Sequence, residues 1–178
     1  LLAEALLERG PAGLGKVLFT SSGTEAVEAA IKLGRAAVGR PRVLSAEHGF
    51  HGLTLGSLSL NGNPEFADRF GPLLPGCDKV PWNDLAALER ELEQGDVALL
   101  VLEPVQGKGA VFPATEYLAG AQELCRRHGT LFCVDEVQTG FGRTGRFLAL
   151  EHWGLEPDFV TLSKSLSGGF IPSGALLM

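Results

Sequence analysis

Two apolar segments of this chain constrain its fold more than any other feature. Leu99–Leu102 and Leu131–Val134 are apolar without alternation. A strand with one exposed face alternates apolar and polar side chains, whereas a strand buried on both faces is apolar throughout. Both segments therefore predict central strands of a mainly parallel sheet with helices on both faces. The predicted fold class is α/β with three layers.

The other predicted elements alternate along the chain, as such a sheet requires. The predicted strands are Val17–Thr20, Arg42–Ala46, Val97–Glu103, Thr130–Asp135, Phe159–Leu162 and Gly174–Met178. The predicted helices are Thr24–Val38, Asp84–Gln94 and Glu116–His128. Residues 61–83, which contain four prolines, are predicted to form a long irregular excursion. Such loops in compact domains are often functional.

Composition excludes several classes of function. The length of 178 residues suits one sizeable domain, and a net charge of −6 without a basic block argues against nucleic acid. No apolar run approaches the ~20 residues of a membrane span. Three cysteines, Cys77, Cys125 and Cys133, lack metal-ligand spacing. They predict reduced thiols in a cytoplasmic protein, with no metal site.

The first nine residues and the two ends of the chain support separate predictions. Leu1–Arg9 is predicted to form an amphipathic helix and does not read as a signal peptide. The absence of an initiator methionine and the abrupt end at Met178 predict a segment of a longer chain.

Lys164 is the residue with the most distinctive position. It follows the apolar run Phe159–Leu162 and precedes the glycine pair Gly168–Gly169. Ligands of open α/β sheets bind beyond the carboxyl ends of strands. A lysine at such an end loses hydration, its pKa falls, and the neutral amine can attack an aldehyde. The alternative is a lysine at a helix start that faces water.

The other predicted strand ends carry further polar and aromatic groups. Ser22–Thr24 opens a helix and predicts an anion site, or simply a capped helix. Phe50 and His51, between glycines, could stack on a planar ligand, although Phe50 could instead fill the core. Glu103 ends a buried strand, where a carboxylate needs a partner, or simply forms a structural hydrogen bond to backbone amides. Asp135 ends another and suits a buried cation such as a protonated pyridine nitrogen.

Two nucleotide-binding motifs compete with this interpretation. Gly10–Lys16 has P-loop spacing, but Val17 replaces the Ser/Thr that would bind Mg²⁺, and a predicted helix, not a strand, precedes it. Gly140–Gly145 has the spacing of a dinucleotide-binding turn. It does not connect a strand directly to a helix, and no acidic residue follows at the expected distance. Both matches are interpreted as coincidences of spacing.

Four motifs follow one another along the chain: Ser21–Ala26, Phe50–Gly52, Asp135–Gly145 and Leu162–Lys164. In this order they resemble one family across essentially the whole chain. The chain is similar to class III, fold-type I, pyridoxal-phosphate-dependent aminotransferases, the group that contains ornithine, acetylornithine, 4-aminobutyrate and putrescine aminotransferases. The resemblance implies that 1–178 is the cofactor-binding large domain, without the family's N-terminal segment and C-terminal small domain.

The resemblance implies how pyridoxal 5′-phosphate would be held. Gly23 and Thr24, with Ser22, would bind its phosphate. Phe50 would stack on one face of the ring, and Val137 would pack on the other.

The remaining implied contacts concern the reactive atoms. Asp135 would pair with the pyridine nitrogen, and Gln138 would bond the phenolic oxygen. Lys164 would form a Schiff base with the cofactor and transfer the proton. His51 and Glu103 would shape the site.

The implied activity is transamination from an ω-amine or amino acid to a keto acid, by ping-pong kinetics. The implied assembly is a homodimer with its site at the subunit interface. Two alternatives stay open at this point. The same fold could support decarboxylation or racemisation, or the chain could be a non-catalytic domain of a larger assembly.

Lys108 departs from the family pattern. Many relatives have an acidic residue there, and in some of them it helps a substrate-binding arginine to move aside. Lys108 puts that gating in doubt, and with it any transfer of ornithine or 4-aminobutyrate specificity. Because much of the family's substrate pocket lies in the missing parts, 1–178 is expected to be a poor enzyme alone.

Overall fold

The computed structural model describes residues 1–178, which form one seven-stranded sheet. The strands are β1 (Val17–Thr20), β2 (Arg42–Ala46), β3 (Cys77–Val80), β4 (Val97–Leu102), β5 (Leu131–Asp135), β6 (Phe159–Leu162) and β7 (Gly174–Leu177). Their order in the sheet is β1-β7-β6-β5-β4-β2-β3, and both antiparallel pairings involve β7. The sheet is therefore mainly parallel, which confirms the predicted fold class.

Helices cover both faces of the sheet. The helices are α1 (Leu2–Arg9), α2 (Gly23–Val38), α3 (Leu55–Ser59), α4 (Pro64–Ala67), α5 (Leu85–Leu92) and α6 (Tyr117–His128). The helix α2 packs on one face, where Ile31 belongs to the same apolar cluster as Leu99 and Val101. The helices α5 and α6 pack on the other face, in a cluster that includes Leu100 and Leu102. Successive residues of Leu99–Leu102 thus enter opposite cores, as the unbroken apolar run requires.

The excursion at 61–83 is more regular than predicted. It contains α4 and the edge strand β3, and the short helix α3 precedes it. The strand β3 has the sequence Cys-Asp-Lys-Val, and only Val80 is fully buried. A short edge strand with charged residues carries little of the apolar signal that marks a central strand. The predicted strand at 97–103 ends one residue earlier, because Pro104 cannot donate a ladder hydrogen bond.

The parallel strands deliver their carboxyl ends to one edge of the sheet. The strands β2, β4, β5 and β6 run parallel to one another. The residues that follow them, including Glu103, Asp135 and Lys164, therefore meet at that edge. None of the helices combines the length and the apolar content needed to cross a membrane. The three cysteines are unpaired.

Neither nucleotide-binding motif has the structural context it would need. Gly10–Lys16 connects the helix α1 to the strand β1 instead of joining a strand to a helix. The segment 140–145 is a series of turns that leads to a 3₁₀ turn at Ala149–His152.

Candidate active site

One pocket gathers most of the residues that the sequence singled out. Its cavity volume is about 530 Å³, within the size range of small-molecule sites. Seven of the eight predicted cofactor contacts line it, and Ser22 does not. The lining residues are Gly23, Thr24, Phe50, His51, Gly52, Phe66, Glu103, Gly107, Lys108, Asp135, Val137, Gln138, Ser163 and Lys164.

The N-terminus of α2 forms one wall of this pocket. The amides of Gly23 and Thr24 lie in the first helical turn, where no intrahelical acceptor exists for them. A Cβ atom on Gly23 would lie 2.9 Å from the Val137 methyl groups, and one on Gly52 would lie 2.4 Å from Thr24 Oγ1. Only glycine fits at either position, so the backbone can approach a ligand closely. The wall suits an anion.

Ser22 plays a different part from the one that the resemblance implies. Its hydroxyl accepts a hydrogen bond from the Glu25 amide at 3.3 Å, and Glu25 Oε2 accepts from the Ser21 amide at 2.6 Å. Ser22 therefore caps α2 in the way that the alternative interpretation of this motif predicts. Its contact with a phosphate stays a prediction.

Asp135 lies buried at the end of β5 and accepts three hydrogen bonds. His51 Nδ1 lies 2.8 Å from Asp135 Oδ2. Thr161 Oγ1 and the Val137 amide donate to Oδ1 at 2.8 and 3.1 Å. Donors from three separate segments fix the carboxylate, because each occupies a different direction around it. Its position is therefore set before any ligand arrives.

The pKa of His51 depends on this carboxylate. Burial by itself lowers the pKa of the imidazole. The hydrogen bond and charge of Asp135, with the charge of Glu103, outweigh burial and raise the pKa above its ordinary value, although Lys79 opposes them. The charged imidazole is thus stabilised by a buried pair of carboxylates.

A pH-dependent stability difference follows from the raised pKa of His51. We expect the cofactor-free protein to have a higher free energy of unfolding than a His51→Gln variant. We expect this difference in stability to be largest at low pH. A group whose folded pKa is raised contributes its full stability below the unfolded pKa, about 6.5, and loses it as pH rises through the folded pKa. Urea unfolding at about pH 5.5 and about pH 8.5 measures the difference. A difference that stays constant or grows with pH contradicts the expectation.

Glu103 connects two loops of the pocket through its carboxylate. Its Oε2 accepts from the Phe50 amide at 3.0 Å, and its Oε1 accepts from the Gly107 amide at 2.8 Å. Burial raises the pKa of this carboxyl group above its ordinary value, with Asp135 acting in the same direction. Glu103 therefore holds the loop after β2 against the loop after β4, a structural role that the sequence left open.

Lys164 enters the pocket from a strained turn. Its φ of 44° lies in the left-handed region, which residues with a Cβ rarely adopt. Partial burial, reinforced by Arg143, lowers the pKa of the amine, while Asp135 and Glu103 act in the opposite direction. Strained residues of this kind persist where surrounding structure over-determines them, often at functional sites. The turn therefore fixes where the amine of Lys164 enters the pocket.

The aromatic wall of the pocket contains a residue that the sequence reasoning missed. Phe66, on α4, packs edge-to-face on Phe50 with ring centroids 5.1 Å apart. Nearby, Asn61 accepts from the His51 amide at 2.7 Å and donates to the Gly52 carbonyl at 2.8 Å. The predicted functional excursion contains both residues, but its proline content alone did not indicate that Phe66 lines the pocket or that Asn61 holds the His51–Gly52 loop.

The fold and the pocket define an α/β domain with a candidate small-molecule site, and sequence comparison identifies the family. The model described as "Aminotransferase class-III" matches residues 1–178. The chain therefore belongs to the class-III aminotransferase family.

Individual relatives agree with this assignment. The chain is 48% identical over 177 residues to aminotransferase PigE from a Serratia species, covering 99% of the chain and 21% of that protein. It is 47% identical over 176 residues to acetylornithine aminotransferase from Methanopyrus kandleri, covering 98% of the chain and 45% of that protein. The chain thus spans less than half the length of either relative.

Solved structures share the fold. The chain superimposes with a TM-score of 0.89 and 36% identity on an amine transaminase from an uncultivated Pseudomonas species in its PLP-bound, internal aldimine form. The match covers 99% of this chain and 46% of that one.

Proposed function

We propose that the protein is a pyridoxal-phosphate-dependent transaminase that moves an amino group from an ω-amine or amino acid to a keto acid. The observation that carries the proposal is the convergence of four groups on one pocket. These are the anion-binding turn of α2, the aromatic ring of Phe50, the carboxylate of Asp135 and the amine of Lys164. The family and the PLP-bound Pseudomonas relative support it.

The pocket offers what each end of this cofactor requires. Gly23 leaves room for a phosphate at the N-terminus of α2, since any side chain there would meet Val137. The buried Asp135 supplies a carboxylate for the ring nitrogen, and Lys164 supplies an amine for the carbonyl carbon. A phosphate-binding turn, a carboxylate and an amine in one cavity match the phosphate, the ring nitrogen and the carbonyl group of pyridoxal phosphate. The residues present therefore fit the group.

The cofactor, when bound, supplies an electron sink that stabilises the carbanion formed when a proton leaves the carbon beside the amine. Asp135 would pair with the protonated ring nitrogen, and His51 hydrogen-bonds the same carboxylate. Phe50 and Val137 would orient the ring, and Gln138 would bind its phenolic oxygen. Lys164 would hold the carbonyl carbon and would serve as the base for the substrate proton, a role that its lowered pKa favours.

A single half-reaction tests the proposal. The protein is loaded with pyridoxal phosphate and given an amine donor without a keto acid. Accumulation of pyridoxamine phosphate and a carbonyl product supports transamination, and parallel double-reciprocal plots with both substrates support the ping-pong order. Carbon dioxide release points to decarboxylation, and loss of optical activity without amino transfer points to racemisation. A protein that loads the cofactor but converts no donor is the non-catalytic domain.

We further propose that a second copy of the chain covers the pocket. Phe170 and Ile171 are 92% and 67% exposed, six and seven residues after Lys164. Leu53 and Phe112 are also exposed, and each follows a lining residue closely in the chain. Exposed apolar side chains that lie close in the chain to residues of a site are typical of an interaction surface. A homodimer with its site at the interface would cover them. The three unpaired cysteines support the cytoplasmic location, which stays a prediction.

A charged substitution in this exposed segment tests the homodimer. We expect Phe170→Asp to weaken self-association roughly ten-fold or more, because a buried aromatic anchor is lost and a charge is desolvated. Sedimentation velocity over a concentration series measures the change. Leu33→Asp is the matched control, since Leu33 is exposed on α2 and does not line the pocket. If Phe170→Asp and Leu33→Asp change self-association equally, Phe170 does not lie in the interface.

A further inference from the structure

Lys108 lies at the tip of a loop whose base is fixed. Gln106 and Val111 close the loop with a pair of backbone hydrogen bonds of 3.0 and 3.2 Å. The Gly107 amide donates to buried Glu103 at 2.8 Å, and Gln106 Nε2 donates to the Glu47 carbonyl at 2.7 Å. Four hydrogen bonds thus hold the base against the wall of the pocket. The direction in which the loop presents Lys108 is set by the fold.

The Lys108 side chain reaches across the mouth of the pocket to α4. Its ammonium lies 4.5 Å from the ring centroid of Phe66 and forms an ion pair with Glu65. Phe66 in turn packs on Phe50, the predicted cofactor-stacking residue. The Lys108 and Glu65 side chains are 45% and 63% exposed, so water screens their attraction. An ion pair this exposed can exchange Glu65 for another anion at little cost.

The other carboxylates of the pocket are already engaged. Both oxygens of Glu103 accept backbone amides, and Asp135 accepts three donors. Glu103 is held by the loop amides, and Asp135 is the proposed partner of the ring nitrogen, so neither is placed to bind a second ammonium group of a substrate. At the mouth, the charged pair is Lys108 and Glu65. A substrate anion that displaces Glu65 finds the Lys108 ammonium as its partner, whereas a substrate cation is opposed by Lys108.

We propose that Lys108 is a specificity-determining residue, which binds a carboxylate on the substrate at the end remote from the reacting carbon. The substrate carboxylate replaces Glu65 as the partner of the ammonium, while Phe66 continues to hold the lysine stem. The favoured substrates are thus amino acids and keto acids with a distal carboxylate, and diamines are disfavoured. The inference rests on the proposed function, because that function makes the bound molecule a substrate. The binding step itself requires only Lys108, Glu65 and Phe66.

Two probes of equal length and opposite charge test the inference. Glutarate and 1,5-diaminopentane are titrated into the protein by calorimetry at low salt, with and without pyridoxal phosphate. Lys108→Met is expected to weaken glutarate binding roughly ten-fold, the effect of one charge-assisted hydrogen bond, and to leave 1,5-diaminopentane unchanged or bound more tightly. Glu65→Gln is expected to strengthen glutarate binding. Lys32→Met, on the exposed face of α2, is the matched control.

The outcomes separate this inference from the proposed function. The quantity compared is the difference in glutarate affinity between wild type and Lys108→Met. Any glutarate that binds at the N-terminus of α2 contributes equally to both proteins and cancels in this difference. Unchanged glutarate binding in Lys108→Met, or equal changes for both probes, overturns the inference, even when the cofactor loads normally on Lys164. Failure of the protein to bind pyridoxal phosphate overturns the proposed function. In that case, the difference in glutarate affinity between wild type and Lys108→Met, measured without cofactor, still decides the role of Lys108. The inference is also overturned if the wild-type protein binds 1,5-diaminopentane more tightly than glutarate.

Discussion

Replacing Lys164 with alanine is expected to abolish the covalent attachment of pyridoxal phosphate and to lower kcat/KM roughly 10³-fold or more. No other lysine can take its place from a comparable position. Lys108, the second amine that lines the pocket, forms an ion pair with Glu65 and lies at the mouth. The Lys164 amine also has a lowered pKa, which suits both the attack on a carbonyl carbon and the transfer of a proton.

Absorbance and peptide mapping measure this loss directly. In wild type, borohydride reduction should fix the cofactor to the peptide that contains Lys164, and in Lys164→Ala no peptide should carry it. Because Lys164 is exposed, the free energy of unfolding should stay within about 0.5 kcal/mol of wild type, so lost activity reflects lost chemistry. Lys32→Ala is the matched control. A lysine-bound cofactor spectrum that survives in Lys164→Ala would reject the assignment.

The sequence predicted the central sheet because its signal there is strong. Leu99–Leu102 and Leu131–Val134 are buried on both faces, and that burial requires an unbroken apolar run. Parallel strands place their carboxyl ends at one edge, so residues after separate strands could be expected to meet. The convergence of Gly23, Asp135 and Lys164 on one pocket follows from that geometry.

The sequence did not predict contacts between elements or side chains that are distant in the chain. The edge strand β3 was missed because charged residues occupy its exposed positions. The contact of His51 with Asp135 joins residues 84 positions apart, and no local pattern encodes it. Lys108 was recognised as a departure from its family, but its contacts with Glu65 and Phe66 depend on where α4 folds within the excursion. Pairings of this kind are set by tertiary packing.

Asp135→Asn is the second substitution with a large expected effect. We expect kcat/KM to fall roughly 10³-fold, about 4 kcal/mol of transition-state stabilisation, because the ring nitrogen loses its carboxylate partner. Glu103 is not placed to replace it, since its carboxylate is fixed on the amides of Phe50 and Gly107, two other loops of the pocket. An asparagine has one acceptor oxygen for the three donors that now surround Asp135, so at least one donor faces an amide NH₂ group. Stability should therefore fall by about 1–3 kcal/mol.

The neighbouring carboxylate separates the catalytic effect of Asp135→Asn from its cost in stability. Glu136 is buried in the same turn and accepts hydrogen bonds from Thr139 Oγ1 and from the Leu150 amide, but it does not line the pocket. Glu136→Gln should lose stability while its folded fraction keeps near-normal kcat. Asp135→Asn should lose kcat at temperatures where it is fully folded, and NMR titration should show a lower pKa for His51, whose main hydrogen-bonding partner is gone. If the folded Asp135→Asn protein keeps kcat within about ten-fold of wild type, its carboxylate does not support the reaction.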